Sequence, residues 1–293
     1  MARRVILDLG ANRGQNLNYY LQKAELVIAV EANPKLAKRI SADYLEQIDA
    51  GRLVLLNAAI VAKDDLDGRN THDRKRQNFY IHKQNDVLST LIEPLDQEKF
   101  LKVKVPTVRI EEIFNIFGFR ELHFLHCKID LEGYDFKVVK EILGIGLLPD
   151  SISFECHDLE SLNLIVNSGK YFAFKMLLGS KIERQFSNLK ILNRNKEKVI
   201  FRFPPHSAGP FGEDVPGKWY SANGILEVMR IEGTGWIDIC AVRSSLFEAR
   251  DLGITEKYLR KFRISATRLW RKCVPEVVRI VLSRVRSKLR NYL

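Results

Sequence analysis

An acid and two glycines directly follow the first apolar segment of the chain. The run VILDLGANRGQ ends its apolar stretch near Asp8 and then places Gly10 and Gly14 four residues apart. Glycine lets a backbone turn pass close to a ligand because it carries no side chain. The next apolar segment ends in Glu31, a carboxylate that can accept hydrogen bonds from both hydroxyls of a ribose. This spacing predicts a turn that holds a nucleoside-containing cofactor.

Two later apolar segments end in groups that can move a proton. KIDLEG carries Asp130 and Glu132, and ISFECHD carries Glu155 and His157. Carboxylates and imidazoles can take the proton of an acceptor hydroxyl, so the candidate catalytic residues are Asp130, Glu155 and His157. The same three side chains could instead hold a divalent metal that acidifies the hydroxyl. Their spacing matches no diagnostic metal motif, and the interpretation without a metal is therefore favoured.

The glycine spacing distinguishes two cofactors. A dinucleotide-binding turn reads G-x-G-x-x-G, whereas this chain reads D-x-G-x-x-x-G, with Asn12 in place of the second glycine. Acids at strand ends suit a ligand with hydroxyl groups and a positive charge, and S-adenosylmethionine has a ribose, a sulfonium and no pyrophosphate. S-adenosylmethionine is therefore the favoured cofactor. An NAD(P)-dependent oxidoreductase and a non-catalytic cofactor-binding module tethered by its C-terminal tail remain as alternatives.

The elements that position these residues alternate regularly. RRVILDLG, LVIAVEANP and GRLVLLNAAIV are predicted strands, and the segments between them are predicted helices. Asn33 before Pro34 is typical of a helix start, because asparagine caps and proline needs no donor there. Apolar strands separated by helices indicate a doubly wound, mostly parallel sheet in the α/β class. Ligands bind beyond the carboxyl ends of such strands, where the acids lie.

Seven segments occur in the order of the motifs of a known family: DLGANRG, AVEANP, NAAI, VPTVRIEEIF, HCKIDLEGYDFKVVKEI, ISFECHD and GPFGEDVPGKWY. They resemble the FkbM-type methyltransferases over roughly residues 3–243, and KIDLEGYD is the most specific of them. Asp135 departs mildly from the glutamate usual in that motif. The resemblance implies a class I, Rossmann-like seven-stranded sheet with an antiparallel last strand. It also implies O-methylation with S-adenosylmethionine of a hydroxyl on a saccharide or glycan-like acceptor.

The resemblance also implies roles for individual residues. Four residues of the first turn would line the methionine moiety, Glu31 would bind the ribose, and the segment from Asn57 to Ala59 would border the adenine. Ser89 would lie near the open end of the site, and Asp130 near the transferred methyl group. The four turn residues are Asp8, Gly10, Asn12 and Gly14. Lys128 points to the same face as Asp130 and is expected to pair with an acid there.

A loop rich in proline and glycine, PPHSAGPFGEDVPGKWY, interrupts the C-terminal half of the predicted domain. Its length suggests a function, and His206 and Trp219 could hydrogen-bond and stack on an acceptor sugar. The loop at about 203–220 is therefore predicted to be an acceptor-side lid. The alternative is a stiff surface loop whose Trp219 is packed into the core.

The basic charge is concentrated at the C terminus. Residues 250–293 contain 13 Lys and Arg against 3 Asp and Glu, which leaves 34 against 33 in the rest of the chain. Five apolar residues in this tail have helical spacing: Val278, Val281, Leu282, Val285 and Leu289. We therefore expect a methyltransferase domain at 1–249 and a basic amphipathic tail at 250–293. The tail would bind an anionic membrane surface or form a homodimer, and the near-neutral domain disfavours a nucleic-acid partner.

The remaining composition argues against secretion. The four cysteines form no C-x-x-C pair, no apolar run approaches the roughly 20 residues of a membrane span, and no signal sequence is recognisable. The expected location is cytoplasmic, with peripheral membrane attachment through the tail as a variant. Because the first strand begins near residue 5, no domain is expected before the catalytic one.

Overall fold

The structure is a computed structural model that describes residues 2–65, 76–117, 122–244, 248–253, 256–261 and 264. Within these ranges nine strands form the main sheet: β1 (Arg3–Leu9), β2 (Leu26–Val30), β3 (Leu53–Leu56), β7 (Leu122–Ile129), β8 (Ser151–Glu155), β9 (Ala173–Leu178), β12 (Trp219–Tyr220), β13 (Ile237–Val242) and β14 (Ala249–Arg250). Their order in the sheet is β14-β12-β9-β13-β8-β7-β1-β2-β3.

The middle of the sheet is parallel, as predicted. β3, β2, β1, β7 and β8 run in one direction, and β13 is antiparallel to both β8 and β9. The described sheet has nine strands rather than the predicted seven, because β12 and β14 extend it beyond β9. These two strands are two residues long each, too short to leave a period-2 pattern in the sequence.

The helices that connect and cover the strands are α1 (Leu17–Lys23), α2 (Pro34–Asp43), α3 (Leu45–Asp49), α4 (Ile110–Phe117), α5 (Asp135–Gly144), α6 (Glu160–Asn167), α7 (Ile182–Gln185) and α8 (Ala222–Glu232). The predicted start of α2 is confirmed, since the Asn33 side chain accepts the Lys35 N–H at 3.1 Å. Two apolar layers lie on the two faces of the sheet, one around Leu7 and Phe154 and the other around Ile6 and Tyr20. This arrangement is an α/β fold.

Two small sheets lie outside the main one. β4 (Ala59–Ile60), β6 (Phe100–Val108) and β5 (Arg76–His82) form a three-stranded sheet in that order. β10 (Leu189–Leu192) and β11 (Lys198–Phe201) form an antiparallel pair. The first of these sheets carries the segment 83–91, which reaches the carboxyl edge of the main sheet.

The predicted tail begins against the domain. The Tyr220 hydroxyl donates to Glu256 at 2.6 Å, and the guanidinium of Arg260 donates to Glu232 at 2.6 Å. The predicted apolar stripe from Val278 to Leu289 and the cysteine at 273 lie outside the described residues. In the described ranges, no helix combines the length and the hydropathy that crossing a membrane would require.

Candidate active site

A cavity opens at the carboxyl ends of β1, β2 and β7. The sequence-predicted residues on its wall are Gly10, Asn12, Glu31, Ala59, Ser89, Asp130 and His206. Residues separated by nearly 200 positions thus meet at one edge of the sheet, because parallel strands bring their carboxyl ends together.

The turn after β1 directs its backbone donors into the protein. The N–H groups of Gly10 and Ala11 both donate to Val30 O at 3.0 Å, and that of Gly14 donates to Ala11 O at 2.8 Å. The Asn12 N–H donates to the Glu31 carboxylate at 2.7 Å, and the Arg13 N–H donates to the Gln15 side chain at 3.1 Å. All five N–H groups of residues 10–14 are therefore already bonded.

Glu31 is fixed at the cavity wall by two short hydrogen bonds. One carboxylate oxygen accepts the Asn12 N–H and the other accepts the Asn33 N–H, both at 2.7 Å. A carboxylate oxygen can accept more than one hydrogen bond, so each retains acceptor capacity. Burial raises the pKa of Glu31 to about 7, although both N–H donors act to lower it. The backbone thus holds a carboxylate in one orientation beside the cavity.

Lys128 lies between two acids at the cavity wall. Its ammonium is 2.9 Å from Asp130 Oδ2 and 3.9 Å from Asp8 Oδ1, and it donates to Gly10 O at 3.1 Å. Burial alone would lower the pKa of Lys128, but facing Asp130 and Asp8 raises it above its usual value. The predicted pairing of Lys128 with an acid is confirmed by this contact.

A second group of acids lies beside the cavity. Glu155 ends β8, and His157 Nε2 is 3.4 Å from its Oε2. Burial, and then the charges of Asp130 and Glu155, raise the pKa of Glu132 to about 9. Burial and Asp130 likewise raise the pKa of Glu155 to about 7. Of these three residues only Glu132 lies on the cavity wall, so the predicted catalytic residues Glu155 and His157 flank the cavity without lining it.

Four other predicted site residues lie away from the cavity wall. Asp8 is fully buried, and neither of its carboxylate oxygens has a hydrogen-bond partner in the described structure. A side chain at Gly14 would meet Leu17, so this glycine serves the packing of the turn. The Asn57 side chain donates to Glu31 O at 2.8 Å and borders the site from outside. Trp219 is buried in the core on β12, and its predicted contact with an acceptor stays a prediction.

The predicted lid loop is anchored to α1. The Ser207 hydroxyl donates to Asn16 Oδ1 at 2.7 Å, and the Tyr19 hydroxyl donates to Asp214 Oδ2 at 2.7 Å. His206 directly precedes the first anchor, Ser207. It has a φ of 61° and stacks on Trp236, with the ring centroids 5.5 Å apart. The loop therefore places the His206 imidazole at the cavity wall, and hydrogen bonds from Ser207 and to Asp214 hold the rest of the loop against the domain.

Sequence reasoning missed the contribution of the residues on either side of Ser89. Asp86, Val87 and Leu91 line the cavity, and the Arg13 guanidinium donates to Asp86 at 2.7 and 3.1 Å. This pair connects the turn after β1 to the small sheet at the mouth of the cavity. The only signal in the sequence was the turn-rich composition of NDVLST, which fixes no partner.

Among the solved structures that match the chain at low identity is methyltransferase FkbM from Methylobacillus flagellatus KT, with 14% identity over 60% of this chain and 40% of that chain and a TM-score of 0.38. A putative methyltransferase from Thermoplasma acidophilum is 11% identical over 85% of this chain and 71% of that chain, with a TM-score of 0.31. The 23S rRNA methyltransferase ErmE is 15% identical over 89% of this chain and 90% of that chain, with a TM-score of 0.31. The chain thus spans well under half of the first structure's length.

No curated protein matches the chain. The model of the methyltransferase FkbM domain matches residues 8–164, which is more than half of the sequence. The match includes the turn after β1, Glu31, Asp130 and Glu155. The chain belongs to the FkbM methyltransferase domain family.

Proposed function

We propose that this protein is an S-adenosylmethionine-dependent O-methyltransferase that acts on a hydroxyl of a saccharide or glycan-like acceptor. The observation that carries the proposal is the use of all five N–H groups of residues 10–14 within the protein. A dinucleotide needs free N–H donors at this turn to bind its pyrophosphate. A cofactor without phosphates needs none, and this favours S-adenosylmethionine over NAD(P).

The residues present fit this cofactor. Four carboxylates lie on the cavity wall, those of Glu31, Asp86, Asp130 and Glu132, and Lys128 is the one lysine among the described residues of that wall. A predominantly acidic wall stabilises a sulfonium cation. Glu31 keeps acceptor capacity for two ribose hydroxyls, and Ala58, Ala59 and Phe79 offer an apolar surface for a base.

When bound, S-adenosylmethionine supplies a methyl group on a positively charged sulfur. The protein must hold the acceptor oxygen in line with that group and take the proton of the hydroxyl. Asp130 lines the cavity, and its Oδ2 is fixed by Lys128 at 2.9 Å. Its Oδ1 has no hydrogen bond to a described residue and can accept the hydroxyl proton. Lys128 thereby orients the base and does not need to touch the acceptor.

The part of the site proposed to contact the acceptor contains polar and aromatic side chains. His206 lines the cavity and stacks on Trp236, which is about half exposed. Gly179 makes room for this indole, because a Cβ at that position would lie 2.2 Å from Trp236 Nε1. An imidazole beside an exposed aromatic face can hydrogen-bond and stack on a sugar ring. A saccharide is therefore the proposed acceptor class.

The proposal is tested by methyl transfer. The protein is incubated with methyl-labelled S-adenosylmethionine and a panel of mono- and oligosaccharides, and labelled products are identified by mass spectrometry. We expect the label on a saccharide hydroxyl. Labelling of amines or thiols alone would contradict the proposed acceptor, and cofactor binding without any turnover would favour a non-catalytic module.

Asp130→Asn is expected to lower turnover by about 100-fold or more, as removal of a general base commonly does. The affinity for S-adenosylhomocysteine should change by less than about threefold, since the variant keeps the shape of the side chain. The matched control is Asp86→Asn, which neutralises another carboxylate of the cavity wall. Equal losses of turnover and of affinity in Asp130→Asn would assign Asp130 to cofactor binding instead.

Binding of S-adenosylhomocysteine is expected to weaken below pH 7. Burial raises the pKa of Glu31 to about 7, so acidification protonates the proposed acceptor of the ribose hydroxyls. The affinity should fall by up to about tenfold per pH unit below that value and stay level above it. Calorimetry between pH 5.5 and 8.5 measures this profile. The Glu31→Gln variant should bind weakly across the range, and an unchanged slope in that variant would assign the titration to another group.

A further inference from the structure

Three side chains beside the cavity form a group with the donor types of a metal site. Glu132 follows β7, Glu155 ends β8 and His157 lies two residues further on. One ligand atom from each can be chosen so that all three lie within 4.8 Å of one another. Two strand ends that are neighbours in the sheet thus supply two carboxylates and an imidazole on one side of a common point.

The described cations do not neutralise these carboxylates. Lys128 is the buried cation of this region, and its ammonium is taken up by Asp130 and Gly10 O. Glu155 contacts His157 at 3.4 Å, and this contact becomes an ion pair only when the imidazole is protonated. Burying several carboxylates together is costly unless a cation pairs with them.

A buried carboxylate behind the group is an independent observation. Asp238 on β13 is the register partner of Glu155, so the two side chains lie on the same face of the sheet. Asp238 is 5% exposed. No hydrogen bond to its carboxylate occurs among the described residues. A carboxylate of this kind can support metal ligands by accepting a bond from a ligand-bound water.

We propose that Glu132, Glu155 and His157 bind a divalent cation, with Asp238 behind them. Two carboxylates and one imidazole suit Mn²⁺, Mg²⁺, Fe²⁺ or Zn²⁺, and they leave coordination positions open. Because Glu132 also lines the cavity, the cation would lie at the cavity edge and could bind the acceptor oxygen. That role rests on the proposed function, whereas the binding site itself does not.

The site is tested with Mn²⁺ alone and the full-length protein after treatment with a chelator. Calorimetry and the electron paramagnetic resonance signal of free Mn²⁺ should both report one ion bound per chain. His157→Asn and Glu155→Gln should each weaken this binding by about tenfold or more. Asp158→Asn is the matched control, because it removes a neighbouring negative charge and keeps the acceptor for the Glu160 N–H.

The proposal is overturned if the unmodified protein binds no Mn²⁺, or if His157→Asn binds it as tightly as the unmodified protein. An equal loss in Asp158→Asn would also overturn it, because general surface charge would then explain the binding. Thermal unfolding of each variant identifies any that fails to fold, and His157→Asn is decisive because His157 is exposed. Binding of S-adenosylhomocysteine by the same samples reports on the proposed function separately.

Discussion

Gly10→Ala is expected to lower the free energy of unfolding by about 3 kcal/mol or more, because two penalties add. Gly10 has a φ of +87°, which an L-residue rarely adopts. An added Cβ would also lie 1.9 Å from the backbone oxygen of Asp130. Neither the turn nor the end of β7 can move away easily, since the Gly10 N–H is bonded to Val30 O and the Asp130 N–H is bonded to Leu9 O. Urea unfolding followed by circular dichroism measures the loss.

The control for this variant is Gly51→Ala. Gly51 has a comparable φ of +64°, but an added Cβ would meet nothing within 4 Å. This variant should lose only the conformational penalty of about 1–2 kcal/mol. An equal loss of unfolding free energy in both variants would contradict this explanation. It would show that the close approach between the turn and the end of β7 is not the reason for glycine at position 10.

Lys128→Met is expected to destabilise the protein by about 3–5 kcal/mol at pH 8. The lysine side chain is 4% exposed, and its removal leaves Asp8 without the cation it faces. Burial already raises the pKa of Asp8 to about 6. Loss of the ammonium raises that pKa further, so the native state of the variant binds a proton that the unfolded state releases. Its free energy of unfolding therefore falls as the pH rises.

The pH dependence of the stability of Lys128→Met distinguishes the loss of an ion pair from the loss of packing. The deficit of Lys128→Met relative to the unmodified protein should be clearly smaller at pH 5 than at pH 8. The double variant with Asp8→Asn should recover part of the loss, a coupling of about 1 kcal/mol or more in a double-mutant cycle. A deficit that is equal at both pH values and additive with Asp8→Asn would indicate lost packing instead.

The sequence predicts the frame of the site well. Continuous apolar segments that alternate with helices identify β1, β2, β7 and β8, and the parallel topology then brings Glu31 and Asp130 to one edge. Capping at Asn33 is a local interaction, so the start of α2 is also predictable. The single predicted strand GRLVLLNAAIV is divided in the structure, where β3 and β4 join different sheets.

The orientation of side chains is less predictable. Asp8 was expected to line the methionine moiety, yet it lies on a strand position that faces the interior beside Lys128. The pairing and register of the strands decide which side chains surround Asp8, and the sequence of one segment does not show which strands lie beside it. The contact of Arg13 with Asp86 joins residues 73 positions apart, and no local pattern reports such a pair. Asp238 likewise comes beside Glu155 only through antiparallel pairing.

The most direct test of the proposed cofactor is a pair of titrations of the full-length protein, one with S-adenosylhomocysteine and one with NAD⁺. Calorimetry should detect one molecule of S-adenosylhomocysteine bound per chain, and Glu31→Ala should weaken that binding by about 100-fold, the loss of charge-assisted hydrogen bonds. NAD⁺ should give no heat at the same concentrations. Binding of NAD⁺ without binding of S-adenosylhomocysteine would contradict the assignment of the turn after β1 to a phosphate-free cofactor.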